Sequence, residues 1–301
     1  MGRSRLGSFI DRYLQYIFVL PACLVVFLLL GYPIISSAFY SFTDRSLLSQ
    51  VYKVVGLENY IGILRDKEFW EAFSNSIIWT VASVVSQLLF GLLAAVLLNR
   101  INHCKGLFRT IFIIPWAFPN IVMAFTWKWL YNDLYGVINT ILIHWHLIKE
   151  PILFLASPKL SMLSMVIINT WYGFPFMAIS ILAALQAIPA DNYEAARIDG
   201  ANGWLSFLHI TVPHIKYVVG LIVILRTIWV FNNFDMIFLV TGGGPGSSTE
   251  TLPIFAYKTG WVMNDLGKAS AISVILLVFL LLISSVYFRI INKNERGGED
   301  A

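Results

Sequence analysis

Residues 186–216 read QAIPADNYEAARIDGANGWLSFLHITVPHIK, a polar interlude between two strongly apolar runs. Pro189 cannot continue the helix that precedes it. Asp191 stands three residues before Glu194, the spacing of a capping box with Asp in place of Ser or Thr, so a short helix is predicted to start there. Gly200 is placed to end that helix in the left-handed conformation. A second short helix is predicted from about Asn202, with Trp204, Phe207 and Leu208 on one face. Pro213 suits the first turn of the next apolar run. The product is a helix–turn–helix carrying two small residues, Ala195 and Ala196, and exposed aromatics. Two readings stay open on these residues alone: an amphipathic hairpin resting on lipid, or a knob that enters a groove of a soluble partner helix-first.

The chain around this loop is greasy. Of 301 residues, 58% are hydrophobic and only 13% charged, and the mean hydropathy is +0.73. A soluble chain of this composition would expose large apolar patches, which soluble monomers avoid. That excludes a soluble enzyme, a disordered chain and a basic-patch nucleic-acid binder. Six apolar stretches, each long enough to cross a bilayer, run roughly 14–38, 73–98, 107–130, 161–185, 217–240 and 269–291. The first is too long for a signal peptide and contains Pro21 and Pro33, so it reads as a retained anchor. The expected fold is an all-α integral membrane protein, one domain over residues 1–301, with six transmembrane helices and a helix–turn–helix between helices four and five. The tail from Asn292, NKNERGGED, reads as disordered.

Lys and Arg set the orientation. Arg3, Arg5 and Arg12 precede the first span; Arg100, Lys105 and Arg109 flank the short turn after the second; Arg197 and Lys216 lie in the 186–216 loop; Arg289, Lys293 and Arg296 follow the last span. The opposite loops mix Arg45, Lys53, Arg65 and Lys67 with five acids. This places both termini and the 186–216 loop in the cytoplasm. The net charge of +4 follows from that bias and does not imply nucleic acid. Cys23 and Cys104 make no disulfide framework. The scattered histidines, His144 and His146 included, lack the ligand company a metal site needs.

The loop then carries a resemblance. Glu194-Ala195-Ala196, Gly200 and, after nine residues, Ile210-Thr211-Val212-Pro213 resemble the EAA-x3-G-x9-I-x-L-P loop of binding-protein-dependent ABC importer permeases. The one departure is Val212, where Leu is usual. In that family the loop seats in a cleft of the ATPase subunit, and the resemblance assigns this contact to Glu194, Ala195, Ala196, Gly200 and Pro213. The string from Thr241, TGGGPGSSTETLP, lacks the lysine that a phosphate loop requires. On its own it reads as a flexible outer turn, but it is similar to the same string in carbohydrate-uptake permeases of the maltose-transporter type. Val55-Gly-Leu-Glu-Asn-Tyr60, Trp127-Lys-Trp-Leu-Tyr-Asn132 and Tyr135-Gly-Val-Ile-Asn139 extend the likeness, which covers about residues 14–291.

The resemblance implies a non-catalytic permease in the cytoplasmic (inner) membrane of a bacterium or archaeon. It implies a second related permease chain, two ATP-binding subunits that hold ATP and Mg, an external solute-binding protein and a sugar substrate. No cofactor of its own is implied. Polar residues inside spans are the candidates for a solute path. Trp229, Asn232, Asn233 and Met236 follow the i, i+3, i+4, i+7 pattern of one helix face, and amides suit hydroxyls because they both donate and accept. In the fourth span, Trp171-Tyr-Gly-Phe-Pro-Phe176 holds a proline expected to kink the helix. The resemblance carries solute contact to Tyr172, Gly173 and Phe176, together with Asn233. Arg226 lies near mid-depth, where an unpaired charge is costly. No chain of buried carboxylates suggests a proton relay, which weighs against the alternative of an autonomous secondary transporter or channel.

Overall fold

The computed structural model describes residue 16, residues 18–101 and residues 104–299. Arg3, Arg5, Arg12 and the start of the first span lie outside the described residues. Five helices are long and apolar enough to cross a membrane, and a bent helix pair makes a sixth span if it is counted as one. Among the described residues the only β features are the isolated bridges Thr43–Val54 and Ser46–Asp265. The chain divides into two compact units, one formed by the chain up to Asp66 with Ala256–Leu277, the other by Lys67–Phe255 with the chain from Val278 on.

In the first unit, α1 (Phe18–Tyr40) is apolar on all sides and buries none of its most apolar window, as expected of a helix whose solvent is lipid. It passes through a π-helical turn at Phe27–Gly31. After it, α2 (Glu58–Arg65) carries Asn59, the asparagine of the 55–60 motif. Asn59 is buried and donates to the carbonyls of Ser41 (3.0 Å) and Thr43 (2.8 Å), so it ties off the end of α1 and the outer loop. Gly267 packs against the same Thr43 carbonyl, where a Cβ would collide.

In the second unit, α3 (Lys67–Arg100) and α7 (Ser161–Gln186) form the spine. Gly91 lets them approach: a Cβ there would meet the Met177 side chain. Trp79, Met165, Ile168, Met177 and Ile181 fill the core between the helices. Ser86 and Thr170 share a hydrogen bond of 2.7 Å, the polar glue that replaces hydrophobic drive inside lipid. α7 runs uninterrupted through Pro175.

Two predicted spans are interrupted. The 107–130 stretch is α4 (Lys105–Ala117) and α5 (Asn120–Leu130), and the pair bends by 88°. Pro119 causes this, because the residue before a proline is pushed out of the helical region, and Phe118 sits at φ −81°, ψ 143°. The 217–240 stretch likewise divides. A continuous helix α9 (Gly203–Phe231) ends at Asn232, and α10 (Asp235–Val240) begins three residues later. The second short helix expected after Asn202 is not separate: it forms the first turns of α9, joined by a π-helical turn at Phe207–Thr211 ahead of Pro213. There Val212 N–H bonds five residues back to the Phe207 carbonyl. The chain is completed by α6 (Val137–His144), α8 (Ala190–Ile198), α11 (Leu252–Tyr257) and α12 (Leu266–Glu299). The polar tail expected to be disordered therefore continues the α12 helix to Glu299.

The 127–139 motifs also have local reasons. Asn132 Oδ1 accepts from the N–H groups of Leu134 (3.0 Å) and Tyr135 (3.1 Å), and Asn139 exchanges two hydrogen bonds of 3.0 Å with the backbone of Ile152.

Candidate functional site

The interruption between α9 and α10 opens a cleft of about 390 Å³ lined by Trp116, Asn120, Asn169, Tyr172, Arg226, Trp229, Asn232, Asn233 and Asp235, with Ile228, Val230 and Phe234. Its volume falls in the range of small-ligand pockets. The break is built, not frayed. Trp79, fully buried on α3, donates its indole N–H to the Val230 carbonyl at 2.9 Å, which also accepts the Asn233 N–H at 3.1 Å, so the last turn of α9 is pinned to α3. Asn232 turns back to the Ile228 carbonyl at 3.0 Å. Asn233 Oδ1 accepts the Met236 N–H at 3.1 Å and so starts α10. Short polar side chains that bond nearby backbone compete with helix in this way. At the far end of α10, Lys128 donates to the Leu239 carbonyl at 3.1 Å.

Arg226 forms the inner wall of the cleft. Its Nε donates to Gln87 Oε1 at 2.9 Å, and Gln87 Nε2 donates to the Asn169 carbonyl at 2.8 Å. One chain of hydrogen bonds thus joins α9, α3 and α7. Gly173 is the aperture through which this passes: a Cβ there would collide with Arg226 Nη2 and with the Gln87 amide. The guanidinium also lies 6.0 Å from the Phe176 ring centre and 5.9 Å from that of Trp229, within cation–π range. Two amide atoms near the cleft, Asn120 Oδ1 and Asn169 Nδ2, are buried without a hydrogen-bond partner in the protein. Such groups are costly to bury unmatched.

Of the solute-path residues expected from sequence, Tyr172, Trp229, Asn232 and Asn233 come together on this cleft. Trp229 and Asn232 do so across the end of a helix, whereas a single continuous helix face was expected to carry them with Asn233 and Met236; Met236 is buried in the core instead. Gly173 is buried against Arg226 and Gln87 and does not line the cleft. Phe176 stands beside the cleft and packs on Trp229 at 5.3 Å and Trp116 at 5.7 Å. Asn120 and Asn169 are further lining residues that the sequence reading did not select. Asn169 was open to the rule that singled out the others, being an amide inside an apolar span.

At the other end of α9, the short helix α8 begins after Pro189, which occupies the N-cap position without a side-chain cap. The capping box expected from Asp191 and Glu194 does not form, because Asp191 already lies inside the first turn. The C-terminus behaves as predicted. Gly200 has φ +78°, its N–H reaches the Arg197 carbonyl (3.1 Å), and the Ala201 N–H reaches that of Ala196 (2.8 Å), the paired bonds of a Schellman ending. Asn202 then caps α9 by accepting from Trp204 and Leu205 N–H. Glu194, Ala195, Gly200 and Pro213 are exposed and Ala196 half-buried. Ile198 is 87% and Trp204 67% exposed, an apolar pair that water disfavours. Two side-chain contacts tie α8 to the base of α9: Tyr193 Oη with Thr211 Oγ1 at 2.9 Å and Asn192 Nδ2 with His214 Nε2 at 3.2 Å.

The 241–253 string is ordered rather than the flexible turn that its composition suggests. Gly242, Gly243 and Gly246 all take positive φ. Thr249 is buried, bonds Thr241 Oγ1 at 2.8 Å, and donates to the Gly244 carbonyl at 2.8 Å. Asn75 on α3 donates to the carbonyls of Ser247 (2.9 Å) and Glu250 (3.0 Å), and Ser76 accepts the Leu252 N–H at 2.8 Å.

This arrangement defines a multi-pass membrane permease, with a polar cleft at a helix break and a protruding loop at the foot of the same helix. Residues 87–296 match the family described as binding-protein-dependent transport system inner membrane component. A probable ABC transporter permease of Sinorhizobium fredii is 39% identical over 270 residues, 89% of this chain and 86% of that protein. The trehalose/maltose transport system permease protein MalF of Thermococcus litoralis is 36% identical over 280 residues, 93% of this chain and 94% of that one. A chain of a bacterial ABC transporter involved in the import of the acidic polysaccharide alginate has the same fold, with TM-score 0.80, 22% identity and coverage of 95% of this chain and 99% of that one. The chain belongs to the binding-protein-dependent transport system inner membrane components, the permeases of ABC importers.

Proposed function

We propose that this chain carries a sugar or oligosaccharide across the cytoplasmic membrane of a bacterium or archaeon, as the non-catalytic permease of an ATP-driven importer with both termini in the cytoplasm. Its partners are a second related permease chain, two ATP-binding subunits that hold ATP and Mg, and an external solute-binding protein. The observation that carries the reading is the cleft, where amides from α5, α7 and the α9–α10 break converge with Tyr172 and Trp229. Amides match hydroxyls in both hydrogen-bonding directions, and an aromatic face suits the apolar face of a pyranose.

The coupling follows from α9. Its 29 residues make a rod of about 43 Å, with the Thr211 and His214 ties to α8 at one end and Arg226, Trp229 and Asn232 toward the other. A closing ATPase that grips Glu194, Ala195, Ala196, Gly200 and Pro213 moves that rod and reshapes the cleft. Inward and outward states then hold solute with different affinity, without which no population would shift.

Asn169 supplies the test. Its Nδ2 has no protein partner, so Asn169→Leu removes an unmatched polar group and is expected to leave the thermal stability of the complex unchanged or raised. Uptake into energised vesicles, measured on a panel of neutral and acidic di- and oligosaccharides, is expected to fall about tenfold for the transported member, the worth of one neutral hydrogen bond of about 1 kcal/mol plus lost fit. Unaltered uptake of every member in a stable Asn169→Leu complex would remove the cleft from the path.

A further inference from the structure

We propose that the solute of this cleft carries an anionic group, a carboxylate, sulfonate or phosphate, and that Arg226 is the residue that selects it. The inference rests on the cleft being the solute site and adds the charge of the ligand. Arg226 is 5% exposed and lines the cleft. The groups around it are a neutral amide, Gln87, and the rings of Phe176 and Trp229. Among the described residues no carboxylate forms an ion pair with it. A full positive charge is therefore held in the cleft wall with no ion-pair partner among the described residues.

That is an expensive way to join three helices. A neutral side chain would bond Gln87 as well and avoid the cost of burying a cation. A charge retained at a ligand cleft under those conditions is matched by something that arrives and leaves. A guanidinium presents several donors in a fixed plane suited to oxyanions. Gly173 and Gln87 hold it in place, so little is lost in ordering it when the anion binds.

The acid that shares the cleft supports an orientation. Asp235, exposed in the first turn of α10, lines the same cleft. Its carboxylate accepts hydroxyl groups and repels an anion. The charged end of the solute is thereby directed to Arg226 and a hydroxylated end to Asp235, with Asn120, Asn169 and Asn232 available to the remaining hydroxyls.

The test is equilibrium binding to the assembled transporter with four probes that share one disaccharide skeleton: the neutral parent, its 6-carboxylate, its 6-sulfonate and its 6-phosphate. The wild-type complex is expected to bind at least one charged probe roughly tenfold to a hundredfold more tightly than the parent, the range for a charge-assisted hydrogen bond. Arg226→Gln is expected to bring the ratio of charged-probe to parent affinity down to about one, the ratio being read whatever the parent's own affinity becomes, and Arg226→Lys to keep part of the preference. The strongest charged probe identifies which oxyanion is preferred. A wild-type complex that binds the parent as tightly as all three charged probes would overturn the inference and leave the sugar reading intact. So would an Arg226→Gln complex that weakens all four equally, which would make Arg226 purely structural. Failure of an assembled wild-type complex to bind any of the four would count against the sugar reading itself, and this inference with it.

Discussion

Replacing Gly200 by aspartate is expected to abolish ATP-driven uptake while the chain still inserts and the transporter's other functions of folding and solute binding persist. Gly200 takes a left-handed φ of +78°, and no atom lies within 4 Å of where its Cβ would be. The side chain therefore meets no internal obstacle. Its local cost is the strain of a non-glycine residue in that conformation, about 1 kcal/mol, and Asp tolerates it better than most. What changes is the outer surface of the turn between α8 and α9, where the aspartate projects a carboxylate beside exposed Ile198. If that surface is covered by the ATPase, an unpaired charge is buried there at a cost of about 3 kcal/mol or more, which is roughly a hundredfold in coupling. Uptake rate and the amount of membrane-inserted chain, measured on the same vesicles, separate the two effects. Normal uptake in Gly200→Asp would show that nothing docks there.

Gly173→Val is expected to act through the fold. The added carbons occupy the space of Arg226 Nη2 and the Gln87 amide, so either the α7 backbone shifts from α3 or the Arg226–Gln87 bond breaks. The second outcome leaves a buried guanidinium without its amide partner, a loss of about 1.5–3 kcal/mol. A marked fall in the melting temperature of the purified complex, or in the yield of folded chain, is the readout. Gly62→Ala on α2 is the control, since no atom lies within 4 Å of its Cβ site, and a helical Gly to Ala exchange is stabilising by up to about 1 kcal/mol. Gly173→Val melting with the wild type would mean that Arg226 has other room, and the aperture would lose its role.

These two glycines also mark how far the sequence could be read. Gly200 was legible because its job is local: the helix it ends and the turn it makes lie within a few residues. Gly173 carried only the solute contact that the resemblance assigned to it, whereas its neighbours are Arg226 and Gln87, 53 and 86 residues away in the chain, and no local pattern gives that. The six apolar runs were plain from composition. Their interruptions were not, because a hydropathy window averages across a break. Phe118-Pro119 did carry a signal, the steric restriction ahead of proline, and it lay unused inside a run that looked continuous. Asn232 and Asn233 fit one helix face equally well, and only their bonds to Ile228 and Met236 reveal a helix end. Asp191 had the spacing of a cap but follows a proline that takes the cap position itself.

Purification of the tagged chain from native membranes in mild detergent, with mass spectrometry of what accompanies it, tests the central claim most directly. The account predicts co-purification of an ATPase with a Walker nucleotide site and of a second multi-span permease, and ATP-dependent solute uptake once the purified assembly is returned to vesicles. A chain recovered alone, monodisperse, and able to move solute without ATP would contradict it.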